Sequence, residues 1–538
     1  MADFRKWILV LAALAVIMVP VTASAQAPGC QVNAYASALQ PIVRANGLAE
    51  LIGDMYISNF SYGTTTGCPT GSSTLVIVNV SFHNFVTNIL TSGNLTDAIL
   101  IDQDNGDSVN GTLVGATGLT FQLPTGEPLP TAGTVYRITN VRLNVSTAPA
   151  LQTITGTVAM LVGQSNEPTP NMFQTNFNNS SQNPLGQGPV VQVAFPQQGD
   201  TFTTVGGVTD QQCNTKGAPG DPDPDFTVSF TAGFQDAFKT LQFEGLTDGE
   251  VVSDWSASQG TRLYATFTNI PVGGTIYVTK TSWSASSGEQ AMFVGQDNTA
   301  EGTGSIITPV SGWVALTPAA DSSATAVWEI TSMAGSGYPN IQFGVYLAYN
   351  SGAVALTTAA APFTVSGGFA PLSAVQVASN DTVPVPRFGQ DNNGSPATGE
   401  IVVDACTTNI LFPYVVTGNG GWNTGIAIAN TSMDAIADSE ATEQSGTCAL
   451  YFYGSGAPAA AVTWPHATDP VATIASGTVF AAVVSADAPA FDGYVIATCN
   501  FQYAHAFAYI EGNSSSQGYI ALILRRTGWE TFAEHLDH

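Results

Sequence analysis

The sequence predicts an all-β protein, built as several β-sandwich (immunoglobulin-like) domains in series. Three observations predict it. Short runs rich in Val, Ile, Thr, Phe and Tyr alternate with polar residues at a period of two, as strands with one buried face do. Gly, Asn and Pro punctuate these runs at turn spacing. Helical patterning is confined to two short stretches, "FQDAFKTL" (234–241) and the tail "GWETFAEHLDH" (528–538). A chain of 538 residues is also too long for one hydrophobic core, so it divides.

The first element is a leader. Arg5 and Lys6 precede an apolar stretch from Trp7 to Val19, and Ala23-Ser24-Ala25 supplies small residues for cleavage. This is the pattern of a secretory signal peptide over 1–25, shorter than the roughly 20 apolar residues of a membrane span. No later apolar run is long enough to span, so the mature chain is expected to carry no transmembrane helix and to be secreted, extracellular or held at the cell surface.

An N-terminal β-domain follows over 26–210. Its strand candidates are "STLVIVNVSF", "TDAILID", "TVYRITNVRLNV" and "QTITGTVAMLVG". The polar, Asn- and Pro-rich stretch 164–189 reads as a long exposed loop. "VVQVAFPQQGDTFTTV" reads as a returning pair of strands. The segment 211–225, with "GAPGDPDPD", stacks Gly, Pro and Asp and continues neither helix nor central strand. A middle sandwich is expected over 226–388, with "FTVSFTAGF", "TRLYATFTNI", "TIYVTKTSW", "ATAVWEITSM" and "IQFGVYLAYN". A second linker spans 389–400, a C-terminal sandwich 401–526, and a tail 527–538. A large transmembrane barrel is the competing architecture. Irregular strand lengths and Pro-rich boundaries disfavour it.

Composition narrows the function. There are 39 acidic and 12 basic residues, for a net charge of −27. That excludes nucleic acid as the natural partner, because phosphate binding needs a basic surface. Disorder is excluded by a 44% hydrophobic content arranged in strand-like runs. Six cysteines in an exported chain are disulfide candidates. Cys30 with Cys68 and Cys448 with Cys499 are the expected pairs. Cys213 and Cys406, each near a domain boundary, either pair across domains or stay free. A zinc site is disfavoured, since no C-x-x-C spacing exists.

Calcium is the one cofactor the sequence suggests. "DQDNGD" brings Asp102, Asp104 and Asp107 into one Gly-containing loop, and "DPDPD" does so with Asp221, Asp223 and Asp225. Neither follows the EF-hand spacing, and both are also ordinary turn compositions. The triplets at Asn59, Asn79, Asn94 and Asn144 match the glycosylation acceptor, which an Asn- and Ser/Thr-rich chain produces by chance.

The densest stretch of reactive residue types is "GYVIATCNFQYAHAFAYIEG" (493–512). Odd positions carry Val495, Ala497, Cys499, Phe501, Tyr503, His505, Phe507 and Tyr509; even positions are Ile496 and small or polar residues. That split is a packing pattern. Twenty extended residues would reach about 66 Å, so a bend is expected at 500–503. His505 then reads as a half-buried sheet residue sharing a face with Cys499. It has no second histidine or carboxylate pair at ligand spacing. No hydrolase elbow, P-loop or dinucleotide fingerprint appears. Trp255, Trp283, Trp313 and Trp422 either stack on sugars or fill cores.

Two sets of motifs carry a resemblance. "PIVRANGLAELIGDMYISNF", "VNVSFHNFVTNIL", "TDAILID" and "YRITNVRLN" resemble the opening of a group of large exported bacterial proteins of unknown function. "LFPYVVTGNGGWNTGIAIANTSMD", "GTCALYFYG" and "GYVIATCNFQYAHAFAYI" resemble the C-terminal domain of the same group. The resemblance implies an extracytoplasmic β-protein and assigns no catalytic residues.

One feature points to association. Lysine is the usual guard of exposed strand edges, and only four lysines occur in the whole chain. Edges left unguarded invite pairing with another copy. The expected function is that of a non-enzymatic structural or assembly protein of the bacterial exterior, a surface-layer, matrix or fibre component. The alternative is a carbohydrate-binding or adhesive surface protein. Partners are then copies of itself or cell-surface glycans.

Overall fold

The computed structural model describes residues 30–64, 68, 74–126, 128–148, 151–164, 172–177, 189–220, 223–245, 257–285, 288–296, 312–333, 337–351, 355–358, 360–389, 396–398, 400–433 and 443–524. The stretch 1–25 expected to be a signal peptide, Trp255, Asp221 and the tail 527–538 lie outside them. The chain is all-β. Its one described α-helix is a single turn, Leu241–Glu244. The helical pattern at 234–241 therefore yields no helix. Phe234, Ala237 and Phe238 are buried, but by turns, since eight residues are too few to sustain helical nucleation without tertiary help.

The chain divides into two compact units. The first comprises 1–196, 245–256 and 375–383. Its core is enclosed by one 13-stranded sheet. Strand Gln31–Ala38 lies near one end of the sheet order and Ile42–Arg44 at the other. Only residues 39–41 join them, a reach of about 14 Å. The sheet must therefore curl until its two ends meet. The joint bonds to both sides: the Leu39 N–H donates to the Asp54 carbonyl (3.0 Å), and the Phe195 N–H to the Pro41 carbonyl (2.9 Å). Gly53 sits at the crossing because a Cβ there would lie 2.0 Å from the Leu39 carbonyl oxygen.

Alternation along these strands puts Val32, Ala34 and Ala36 inside and Gln31, Tyr35 and Ser37 outside. The interior is a packed apolar core, the reverse of the polar lumen of a transmembrane barrel. Two charge pairs are buried at the seam. Arg44 Nε donates to Glu50 Oε1 at 2.8 Å, and Arg137 Nε to Asp54 Oδ2 at 2.6 Å. Both pairs fall within the motifs that carry the N-terminal resemblance.

The second unit holds two sandwiches. In the middle one a six-stranded sheet, led by Asp200–Gly206, Phe226–Ala232 and Asn340–Tyr349, packs on a five-stranded sheet centred on Arg262–Thr268. Its core is aromatic. Trp328 stacks on Phe343 with ring centroids 4.1 Å apart and donates its indole N–H to the Thr279 carbonyl (2.8 Å). "NIPVGGTIYVT" is strand, turn, strand as expected. The two strands belong to different sheets, so the turn arches between layers. Likewise Val190–Gln197 and Asp200–Gly206 do not pair with each other but belong to different sheets.

The last sandwich pairs a five-stranded sheet, in the order Val462–Trp464, Cys448–Ser455, Asp492–Cys499, Thr408–Val416, Leu522–Leu524, with a four-stranded one. The latter runs Thr478–Val483, Asn423–Asn430, Ala504–Gly512, Ser515–Ile520. The stretch 493–512 breaks at 500–503, where Tyr503 takes a positive φ of 57°. The break is also a change of sheet, and the inward parity flips across it. Val495, Ala497 and Cys499 face the core before the bend; Ala504, Ala506 and Ala508 do so after it. His505, Phe507 and Tyr509 are thereby turned outward. His505 does not share a face with Cys499. A sequence pattern read at constant parity cannot register a strand that changes layer.

All six cysteines are paired: Cys30–Cys68, Cys448–Cys499 and Cys213–Cys406. Cys448 and Cys499 lie directly opposite each other on neighbouring strands. Cys213–Cys406 follows a parallel pairing of Val208–Gln211 with Ile401–Asp404.

Candidate functional site

The acidic loops come first. Asp102 is buried, and its carboxylate accepts the Asp104 N–H at 3.0 Å. Asn105 Oδ1 accepts the Asp107 N–H at 2.9 Å. These are Asx turns that shape the hairpin between Leu95–Asp102 and Ser108–Val114. Burial raises the Asp102 carboxyl, and the nearby Asp104 and Asp107 charges add to the rise against backbone hydrogen bonds that lower it. At the second loop Asp223 is exposed, while Asp225 is drawn into an ion pair. Among the described residues no group of three or more His, Cys, Asp or Glu side chains is arranged to hold a metal.

Asp225 belongs to a cluster the sequence did not suggest. Lys216 Nζ lies 2.6 Å from Asp225 Oδ1 and 3.1 Å from Asp210 Oδ2, and 4.7 Å from the centre of the Tyr346 ring. Asp225 also accepts the Leu347 N–H (2.8 Å), and Asp210 the Tyr349 hydroxyl (3.1 Å). Burial alone would lower the Lys216 ammonium, but the two carboxylates raise it. Burial raises Asp225 and Lys216 only partly offsets that. The geometry supports an ionised pair, because Asp225 accepts from two donors at once. The cluster ties the segment after Val208–Gln211 to Asn340–Tyr349.

A similar clamp holds the last sandwich. His466 Nδ1 is 3.1 Å from Asp469 Oδ2, and Nε2 is 3.0 Å from Asp487 Oδ1. Asp487 also accepts the Trp464 indole N–H (2.7 Å). His505, by contrast, stands opposite Ala429 on the outer sheet face, and no described residue bonds its ring.

The surface of this sandwich is unusual. Edge strand Thr478–Val483 reads "TVFAAV", with no charge, Gly or Pro, and ends the four-stranded sheet. Val479 is 64% exposed. Register carries its apolar face across the sheet. Val479 is opposite Ala429, Val483 opposite Gly425, and on the far side Phe507 is opposite Ala427 and Tyr509 opposite Gly425. Small residues on the central strand thus leave a shallow apolar trough between two rows of exposed side chains. The outer face of the five-stranded sheet carries a second row, Tyr451–Ile496–Leu411–Leu522, beside the stacked pair Tyr453–Tyr494.

At one end of the sandwich a groove of about 360 Å³ opens between the layers. Val416 and Ile510 form its floor, and Tyr414, Trp422 and Ser515 to Gln517 its walls. Two tight turns fix the walls. Asn513 and Ser514 both have positive φ, as a two-residue hairpin turn requires. Gly512 allows Trp422 to approach, since a Cβ there would lie 2.8 Å from the Trp422 side chain. The Tyr519 hydroxyl donates to the Tyr414 carbonyl, and burial pushes that hydroxyl up to about 12, so it remains a donor. Of the other tryptophans, Trp283 is partly exposed beside Trp313, with ring centroids 6.3 Å apart.

No protein-family model matches the chain, and neither does any curated protein. Among solved structures it is similar to a protein of Corynebacterium diphtheriae described as membrane anchored, at 10% identity over 91% of this chain and 93% of that one, with a TM-score of 0.20. It is similar to a 35 kDa C-terminal fragment of the major pilin of Streptococcus agalactiae, at 7% identity over 69% and 91%, with a TM-score of 0.21. The major pilin subunit of Bacillus cereus is similar at 8% identity over 92% and 94%, with a TM-score of 0.22. Likenesses at these TM-scores are too weak to bear on function, which is read from this chain's own residues.

Proposed function

We propose that this chain is a secreted, non-enzymatic structural protein of the bacterial exterior, a surface-layer, matrix or fibre component that assembles with copies of itself. The edge strand Thr478–Val483 carries the reading. It ends its sheet, bears apolar residues on its exposed side and has no lysine to repel a second strand. Addition of another copy's edge would satisfy its open backbone groups and cover the trough beside it. Three disulfides suit an oxidising compartment, in keeping with the leader. The relation to exported bacterial proteins of unknown function is part of this proposal. The chemistry-bearing side chains support the non-enzymatic reading, since Lys216, His466 and Arg137 are engaged in holding loops and strands together.

The test is assembly of the mature chain at rising concentration, followed by light scattering and electron microscopy. Ordered assemblies are expected from the natural sequence, and dispersed monomers from a Val479→Lys, Val483→Lys double variant. A natural chain that stays monomeric at high concentration, or a double variant that assembles equally well, counts against the proposal. The groove at Tyr414 and Trp422 favours a second reading, glycan adhesion.

A further inference from the structure

We infer that the groove between Tyr414 and Trp422 is a binding site for a neutral saccharide. This rests on the glycan-adhesion reading, whose ligand class it names, and does not depend on assembly. Three properties of the groove converge on that ligand class. Its walls offer two aromatic side chains, and Tyr414 is 49% exposed. The C–H face of a pyranose is apolar and packs against such rings, while its hydroxyls need hydrogen-bonding partners around the rim.

Those partners are present and uncommitted. The Ser515 hydroxyl, the Gln517 amide and the Trp422 indole N–H make no side-chain hydrogen bond with any described residue. Together they supply both donors and acceptors, as a sugar hydroxyl requires. The lining contains no carboxylate, ammonium, guanidinium or imidazole. That composition offers nothing to a phosphate or a metal ion, and it suits an uncharged polyol. At about 360 Å³ the groove falls within the roughly 300–1,000 Å³ range of small-molecule sites.

The site is also preorganised. Gly418, Gly420 and Gly421 adopt positive φ on the turn that delivers Trp422, and Asn513 Nδ2 donates to the Gly420 carbonyl at 3.0 Å. One wall is thus bonded to the other through the hairpin turn, so little conformational freedom is lost on binding.

The experiment titrates the mature chain with chitotetraose, cellotetraose and maltotetraose as neutral probes, and with a heparin tetrasaccharide as an acidic control. Binding is read by tryptophan fluorescence and calorimetry. At least one neutral probe is expected to bind saturably, and the heparin fragment not at all. Trp422→Ala is expected to weaken that binding tenfold or more. Ser515→Trp, which fills the groove without removing either aromatic wall, is expected to abolish it with the melting temperature unchanged. If Trp422→Ala fails to fold, Ser515→Trp decides. The inference is overturned if no neutral probe binds at 10 mM (about 10 mM being weaker than the millimolar affinities of the poorest specific sites). It is also overturned if Ser515→Trp binds as the natural chain does, or if binding is lost in Trp283→Ala instead.

Discussion

Replacing Cys213 and Cys406 by serine removes a bond that closes a loop of 193 residues around the middle sandwich. The folded geometry there does not depend on the bond. Val208–Gln211 and Ile401–Asp404 pair in parallel beside it, and the Gln212 N–H donates to the Asp404 carbonyl at 2.9 Å. The loss therefore falls on the unfolded chain, which regains the freedom the cross-link denied it. For a loop of this length the chain-entropy relation gives about 5 kcal/mol. Cys448–Cys499 closes a loop separated by 51 residues, and the same relation makes its removal about 1.2 kcal/mol less costly. Urea unfolding followed by tryptophan fluorescence reads both. With a slope of about 2–3 kcal/mol per molar urea, the Cys213→Ser, Cys406→Ser midpoint should fall by about 2 M. A shift under about 0.3 M would refute the reasoning, because it would place the cross-linked ends together in the unfolded chain already.

Three further outcomes are expected. Asp54→Ala leaves the Arg137 guanidinium buried without its 2.6 Å partner at the seam of the first unit, and should cost about 3–5 kcal/mol in denaturant unfolding. Burial lowers the His466 imidazole, but hydrogen bonds to Asp487 and Asp469 outweigh it and the group is raised. Its stabilising effect is then full below the unfolded value of about 6.5 and fades as pH rises through the folded one. The melting temperature should thus fall more between pH 5.5 and 8.5 (a window of about three units around that value) in the natural chain than in His466→Asn. Calcium at Asp102, Asp104 and Asp107 would appear as a rise in melting temperature at millimolar calcium that Asp104→Asn abolishes; an unchanged temperature removes calcium from the account.

Much of the architecture was legible because burial on one face imposes a period of two on the chain, as in Gln31–Ala38, Asn423–Asn430 and Asp492–Cys499. Layer changes were not legible. The parity flip at 500–503 and the arch between Arg262–Thr268 and Gly274–Thr279 depend on which sheet each strand joins, a non-local choice. The closure of the first sheet was equally hidden, since residues 39–41 look like an ordinary turn. Of the site, Trp422 was visible as a residue type. Its partners at 515–517 were not, because ordinary Ser and Gln gain meaning only when a hairpin overhangs the opposite layer. Spacing alone leaves the pairing of Cys213 with Cys406 open, and a parallel pairing of strands 193 residues apart fixes it.

The placement of positive charge links fold to surface. Arg44, Arg137, Arg142, Arg262 and Arg387 are all buried. Arg262 illustrates their use: its Nε lies 2.9 Å from Glu329 Oε2, while Oε1 of the same carboxylate accepts the Gly260 N–H at 3.0 Å. An arginine fork satisfies several buried acceptors at once, which lysine does less well. Cations spent inside are missing outside. Lys216 is engaged by Asp210 and Asp225, leaving Lys239 and Lys280 as the remaining lysines among the described residues. Among the described residues the last sandwich consequently carries neither lysine nor arginine, and its edge strand Thr478–Val483 is uncharged. For a chain of net charge −27, long-range repulsion is then what keeps copies apart. Such repulsion is screened beyond about 8 Å at physiological ionic strength, whereas strand pairing and apolar contact are not. Association of this chain should accordingly strengthen with added salt, the opposite of an interface held by ion pairs, and a salt series by light scattering would separate the two.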